Sequence, residues 1–177
     1  MLVSHSDLGI ILQTREQAEL CSLYQERYFF DGTFDCAPFY FYQMCPLRLF
    51  IPQYKSYELG AIALLTGKTT QHYEYTFQTL KDNINKYTMR PGSFYPINIH
   101  VDKENAIISA IQKVFSISKI RLCYLHFSNN IKKRVNNSVF KDMFNSNSYS
   151  LKCVFGCKRL SFIPQIYVIL VFELLYK

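Results

Sequence analysis

Carboxylates are scarce in the second part of this chain. After Asp102 only Glu104, Asp142 and Glu173 remain, against twelve Lys or Arg, whereas residues 1–102 hold ten acids and eight bases. The net charge of +7 is therefore −2 followed by +9. A one-sided basic surface of that size points to a polyanionic partner such as nucleic acid, with a membrane surface or plain solubility as alternatives. Long apolar runs are missing too. The longest uncharged stretch near the C-terminus, Leu160 to Phe172, has 13 residues and contains Pro164. A spanning helix needs roughly 18–20, so no membrane partner is expected. Nor is a secretory leader readable, because His5 and Asp7 precede only a short apolar patch. An intracellular chain is the expectation, and its cysteines (Cys21, Cys36, Cys45, Cys123, Cys153 and Cys157) then read as reduced thiols. Apolar residues are abundant: 49% of the 177 residues are hydrophobic and 16% aromatic. That suffices for one domain burying about two thirds of its unfolded surface, which excludes disorder and a stapled mini-protein.

Residues 11–27 mix good helix formers with no clean apolar stripe, so residues 1–25 read as a lead-in segment without chemistry. Tyr28-Phe29-Phe30 then runs into Asp31-Gly32-Thr33-Phe34, an aromatic strand ending in a carboxylate at a Gly-permitted turn. Phe39–Met44 and Tyr57–Leu65 are two further β-rich runs, separated by a loop marked by Pro46 and Pro52. After Gly67, Thr69-Thr70 precede a helical pattern with Tyr73, Phe77, Leu80 and Ile84 on one face. Pro91-Gly92 breaks the chain, Ile97–Val101 reads as a strand, and Asp102 stands before a second amphipathic helix carrying Ala106, Ile107, Ala110, Ile111 and Val114. Ile120–Cys123 is a brief strand. From His126 a third helix puts Phe127, Ile131, Val135 and Val139 on its core stripe, and residues 143–150 form a polar break. This order predicts α+β or α/β, with a mixed sheet flanked by helices, as in a ribonuclease-H-like core.

Asp31 and Asp102 are each predicted at a strand's C-terminal end. If those strands pair in one sheet, the two carboxylates offer hard oxygen ligands for Mg²⁺, which keeps open positions for water and phosphate oxygens. Two plainer roles compete. An Asp before Gly is a common turn former, and an Asp before an apolar-periodic helix is a common N-cap.

Four ordered blocks add a resemblance. The run Tyr28-Phe29-Phe30-Asp31-Gly32-Thr33-Phe34-Asp35-Cys36-Ala37-Pro38, followed by Phe41-Tyr42-Gln43, resembles the opening signature of the Mutator-like (MULE) transposase domain. Leu64-Leu65-Thr66-Gly67-Lys68-Thr69-Thr70-Gln71-His72-Tyr73 is similar to that family's junction into its first helix. His100-Val101-Asp102-Lys103-Glu104-Asn105-Ala106-Ile107 is similar to its D-x-E-x-A block, and Leu122-Cys123-Tyr124-Leu125-His126-Phe127-Ser128-Asn129-Asn130 to its C-x-x-H-F-x-x-N block. The resemblance implies a DNA transposase with an Asp-Asp-Glu triad, a Mg²⁺ (or Mn²⁺) cofactor, double-stranded DNA as partner and the nucleus as compartment. It implies no small-molecule substrate and leaves a homo-oligomer open. Asp31 and Asp102 carry over as catalytic and metal-binding residues, in a core expected over residues 26–142.

The third acid does not carry over. Glu104 lies two residues from Asp102, and i, i+2 positions on a helix diverge. Asp142 falls near the end of the basic helix, and Glu173 within an apolar tail. In the family this acid comes after a segment resembling Arg159–Pro164, so residues 143–177 read as an incomplete C-terminal segment of a truncated core. The expectation is a transposase by descent, inactive as this chain. The alternative is a non-catalytic or domesticated nucleic-acid- or protein-binding module that retains the fold.

Cys123 and His126 supply two ligands where a structural zinc needs four, with Cys153 and Cys157 as the other candidates. The preferred reading packs Cys123 at a strand end and starts the helix with His126, near the DNA path. Lys132, Lys133 and Arg134, with Lys152, Lys158 and Arg159, are candidate phosphate contacts or a solvated face. Phe39, Tyr40, Phe41 and Tyr42 would suit base stacking, but core packing in a strand is the preferred reading.

Overall fold

The computed structural model describes residues 2–88, 94–138, 141–142 and 148–175. The expected break at Pro91-Gly92, the Val139 position and residues 143–147 of the polar break lie outside them. The chain divides into two compact units, Met1–Leu122 and Cys123–Lys177.

The first unit is a mixed α/β domain. Its seven strands are β1 (Leu2–Ser6), β2 (Gly9–Gln13), β3 (Arg27–Phe30), β4 (Gln43–Ile51), β5 (Ser56–Leu65), β6 (Asn98–Val101) and β7 (Lys119–Leu122). They form one sheet in the order β1-β2-β5-β4-β3-β6-β7. Pairing is antiparallel from β1 through β3, and β3–β6 and β6–β7 are parallel. The helices are α1 (Arg15–Leu23), α2 (Thr70–Tyr87) and α3 (Asn105–Val114).

Alternation along the strands fixes which side meets these helices. Tyr28 and Phe30 of β3, Cys45, Leu47 and Leu49 of β4, and Ile99 and Val101 of β6 are all buried. They join Tyr73, Phe77, Leu80 and Ile84 of α2 in one core, with the Phe30 and Phe77 rings 5.0 Å apart. Each such side chain taken fully out of water contributes about 1.5–3 kcal/mol. The predicted stripes of α2 and α3 are therefore the faces that bury.

Three local expectations fail, each for a readable reason. The lead-in segment supplies the β1–β2 hairpin and α1. Gly9 pairs so closely with β5 that a Cβ there would lie 2.3 Å from the Leu64 carbonyl oxygen. A capping box starts α1, the Thr14 hydroxyl accepting from the Gln17 N–H at 3.2 Å and the Gln17 side chain accepting from the Thr14 N–H at 2.8 Å. Of Phe39–Met44 only Gln43 and Met44 are strand, at the start of β4. Phe41 N–H donates to the Pro38 carbonyl at 3.0 Å and Tyr40 has φ 80°, so turn chemistry overrides the β preference of the aromatics. Phe39 and Tyr40 are 83% and 87% exposed, which overturns their reading as core. Finally, Pro46 lies inside β4 rather than in a loop.

In the second unit α4 (Tyr124–Asn136) and α5 (Ser148–Arg159) are followed by two 3-10 turns and α6 (Val168–Leu175). The Tyr124 and Phe162 rings pack at 4.7 Å. Among the described residues no helix is long and apolar enough to cross a membrane.

Candidate active site

The parallel pairing of β3 with β6 sets Tyr28 against Ile99 and Phe29 against His100. Asp31 is the residue after β3 and Asp102 the residue after β6, so the same register continued by two places sets the aspartates side by side. Neighbouring strands lie about 4.8 Å apart. Both acids thus stand at the same end of adjacent strands.

Pro46 explains why β3 stops before Asp31. Phe30 pairs with Leu47, and beyond the gap Thr33 pairs with Met44, exchanging hydrogen bonds of 2.8 and 2.9 Å. Continuous register would put Asp31 opposite Pro46, which has no N–H to give. The ladder is interrupted at the carboxylate and resumes two residues later. Gly32 fills the interruption because a Cβ there would lie 2.5 Å from Gln43 Oε1.

Against Gly32 lies a polar chain, buried at Gln43 and Tyr73, that sequence reasoning did not single out. Gln43, 1% exposed, donates through Nε2 to the Gly67 carbonyl at 3.1 Å and to the Tyr73 hydroxyl at 3.0 Å. Tyr73 in turn donates to Glu104 Oε2 at 3.3 Å. Burial, then Gln43 and Glu104, act on the Tyr73 phenol with a net upward shift, so it stays protonated and a donor. Burial pushes the Cys45 thiol up to about 12, with the charges of Asp31 and Glu104 adding to the effect. Cys45 therefore feels both carboxylates. The available signal was Gln43 itself, a polar residue where an apolar alternation should be buried.

The plainer role for Asp102 is not the one it plays. The N-cap of α3 is Glu104, extended at φ −111° and ψ 122°, and Asp102 Oδ1 accepts from the Lys103 N–H at 2.6 Å. This also corrects the argument about Glu104. Asp102 and Glu104 precede the helix, so divergence along a helix does not separate them, and the Glu104 carboxylate is instead held by Tyr73. Among the described residues no group of three His, Cys, Asp or Glu is placed to hold a metal ion.

The remaining candidates belong to the second unit. Cys123 is the N-cap residue of α4, with His126 half-buried in the first turn. Lys132, Lys133 and Arg134 are exposed, as expected. Their partners on the stripe are less buried than the spacing predicts, for Ile131 and Val135 are half-buried and Phe127 is 41% exposed. Lys152 and Arg159 are exposed, whereas Lys158 is 5% exposed with its ammonium 5.4 Å from the Phe155 ring centre. Asp142 and Glu173 are exposed. Cys21, Cys36, Cys45 and Cys123 are free thiols.

A mixed α/β sheet carrying two aspartates just past the ends of adjacent parallel strands defines an acid-bearing α/β core. Residues 28–130 match the family model of the MULE transposase domain. That span is more than half of the chain and includes Asp31, Asp102 and His126, and the chain belongs to this family. No curated protein matches it.

Proposed function

We infer that this chain carries the ribonuclease-H-like core of a DNA transposase, with Asp31 and Asp102 as ligands for Mg²⁺ or Mn²⁺, and that alone it binds DNA without completing the cut. The observation supporting the reading is the β3–β6 register, which leaves one carboxylate after each of two adjacent strands. Two carboxylates are the hard oxygen donors that such an ion takes, and membership of a typically metal-dependent family adds to the case. A cation held there would supply Lewis-acid activation of an attacking oxygen and charge neutralisation at the leaving one.

The chain's own residues do the rest. Asp31 and Asp102 concentrate negative charge at the sheet end, and the Gln43–Tyr73–Glu104 chain packs against the turn at Gly32 that follows Asp31. Exposed Lys132, Lys133 and Arg134 suit phosphate contact. Glu104 is engaged by Tyr73 rather than gathered with the aspartates, which favours binding without cleavage. A non-catalytic DNA-binding module would share that behaviour but not the metal. The proposed partner is double-stranded DNA, met in the nucleus.

Two measurements test this. Mn²⁺ binding, followed by water proton relaxation, should be lost in Asp31→Asn and in Asp102→Asn; retention in both would remove the metal site. On supercoiled plasmid with Mg²⁺ or Mn²⁺, nicking should not exceed that of Asp31→Asn. Nicking that disappears in Asp31→Asn would show the site complete in this chain and refute the inactive reading.

A further inference from the structure

The sheet face opposite the buried core carries a pattern that the acid pair does not explain. Register aligns Arg48, Phe29, His100 and Arg121 in one row across β4, β3, β6 and β7. The Phe29 and His100 rings stack at 4.3 Å with 15° between their planes. Beside this row, Tyr57 pairs with Phe50, and the Arg27 guanidinium lies 5.4 Å from the Phe50 ring centre. Tyr57 also packs edge-on to Phe29 at 4.8 Å, so the aromatics form one platform bordered by guanidinium groups.

The platform is accessible and positive. Tyr57 is 51% exposed, and Arg27, Arg48 and Arg121 are all in the exposed class. Arg121 Nε donates to Asn98 Oδ1 at 3.2 Å, which holds its guanidinium along the sheet. One ion pair to this face is present among the described residues, from Glu26 to Arg27 at 3.3 Å. The cations leave their mark on His100, whose pKa is lowered by burial and then by Arg121 and Arg27.

Cations alone would suit any phosphate backbone. Aromatic rings interleaved with them suit bases whose faces are open, and duplex DNA hides those faces in its stack. We propose that this face of the sheet binds single-stranded DNA, with Tyr57 stacking on a base and Arg48 and Arg121 contacting phosphates. Phe29 and His100 lie two residues before Asp31 and Asp102, about 7 Å along their strands. A strand bound here would lead toward the acid pair. The proposal goes beyond the transposase reading, because it needs neither metal nor cleavage.

The test is fluorescence anisotropy of a labelled 16-nucleotide oligothymidine on the full chain in EDTA, where no cut can occur. Tyr57→Ala should weaken binding about five-fold or more. Arg48→Ala/Arg121→Ala should reduce the slope of log K against log[salt] by about 1.4, at roughly 0.7 per lost contact. Binding of a 16-base-pair duplex should be unaffected by Tyr57→Ala. All three positions are exposed, and circular dichroism checks that the variants fold. Unchanged affinity and slope in folded variants would overturn the proposal, as would equal losses for oligothymidine and duplex. Because metal is absent throughout, these outcomes are independent of the plasmid nicking result.

Discussion

Replacing Gly32 by alanine tests whether the acid-bearing turn is held by close packing on Gln43. The new Cβ would lie 2.5 Å from Gln43 Oε1 and 3.4 Å from Cys45 Sγ. The backbone is not the obstacle, since Gly32 is not among the positive-φ residues. A flexible side chain could normally swing away, but Gln43 is buried and its nitrogen is committed to Gly67 and Tyr73. It either stays and is overpacked, at about 1–3 kcal/mol, or moves and gives up hydrogen bonds worth about 0.5–1.5 kcal/mol each. Alanine's lower entropy in the unfolded chain returns about 0.4–1 kcal/mol. The net loss is about 1–2 kcal/mol, seen in urea denaturation as a lower midpoint at unchanged slope. In a Gln43→Ser background the space is open, and Gly32→Ala should then be neutral or slightly stabilising. An equal cost in both backgrounds, or none in the parent, would refute the packing argument.

Three further outcomes follow from the geometry. With an Ellman-type thiol reagent at pH 8, exposed Cys36 should react at once, whereas buried Cys21 and Cys45, both pushed up to about 12, should react only on unfolding. His72 sits between Thr69 Oγ1 at 2.7 Å and Thr66 Oγ1 at 3.2 Å, and burial lowers its pKa from the ordinary 6.5. The unfolded chain then binds its proton first, so His72 contributes stability that is full above pH 6.5 and lost as pH falls toward the folded value. Urea midpoints between pH 7.5 and 5 should therefore depend less on pH in His72→Gln; an unaltered dependence would assign the effect elsewhere, with His100 next to be tested. For duplex DNA, Lys132→Ala/Lys133→Ala/Arg134→Ala should cut the salt slope by up to about 3. An unchanged slope would make α4 a solvated face.

The sequence alone determined the elements whose signals are local. Apolar spacing of three and four residues marked the buried face of α2 from Tyr73 to Ile84, and the runs ending at Val101 and Leu65 marked β6 and β5, because periodicity follows directly from backbone geometry. It also put Asp31 and Asp102 at strand ends, and the four blocks identified the family. Tertiary structure decided what depends on residues far apart in the chain. Pro46 was accommodated in β4 because β3 breaks opposite it. Pairing of β1 with β2 and of β2 with β5 turned an unpatterned lead-in into sheet, since short strands are stabilised by neighbours rather than by their own composition. The Gln43–Tyr73–Glu104 chain needed three elements to meet, and the aromatic and basic rows on the sheet's second face needed five strands in register. No spacing within one segment encodes such a meeting; it exists only once the sheet has formed.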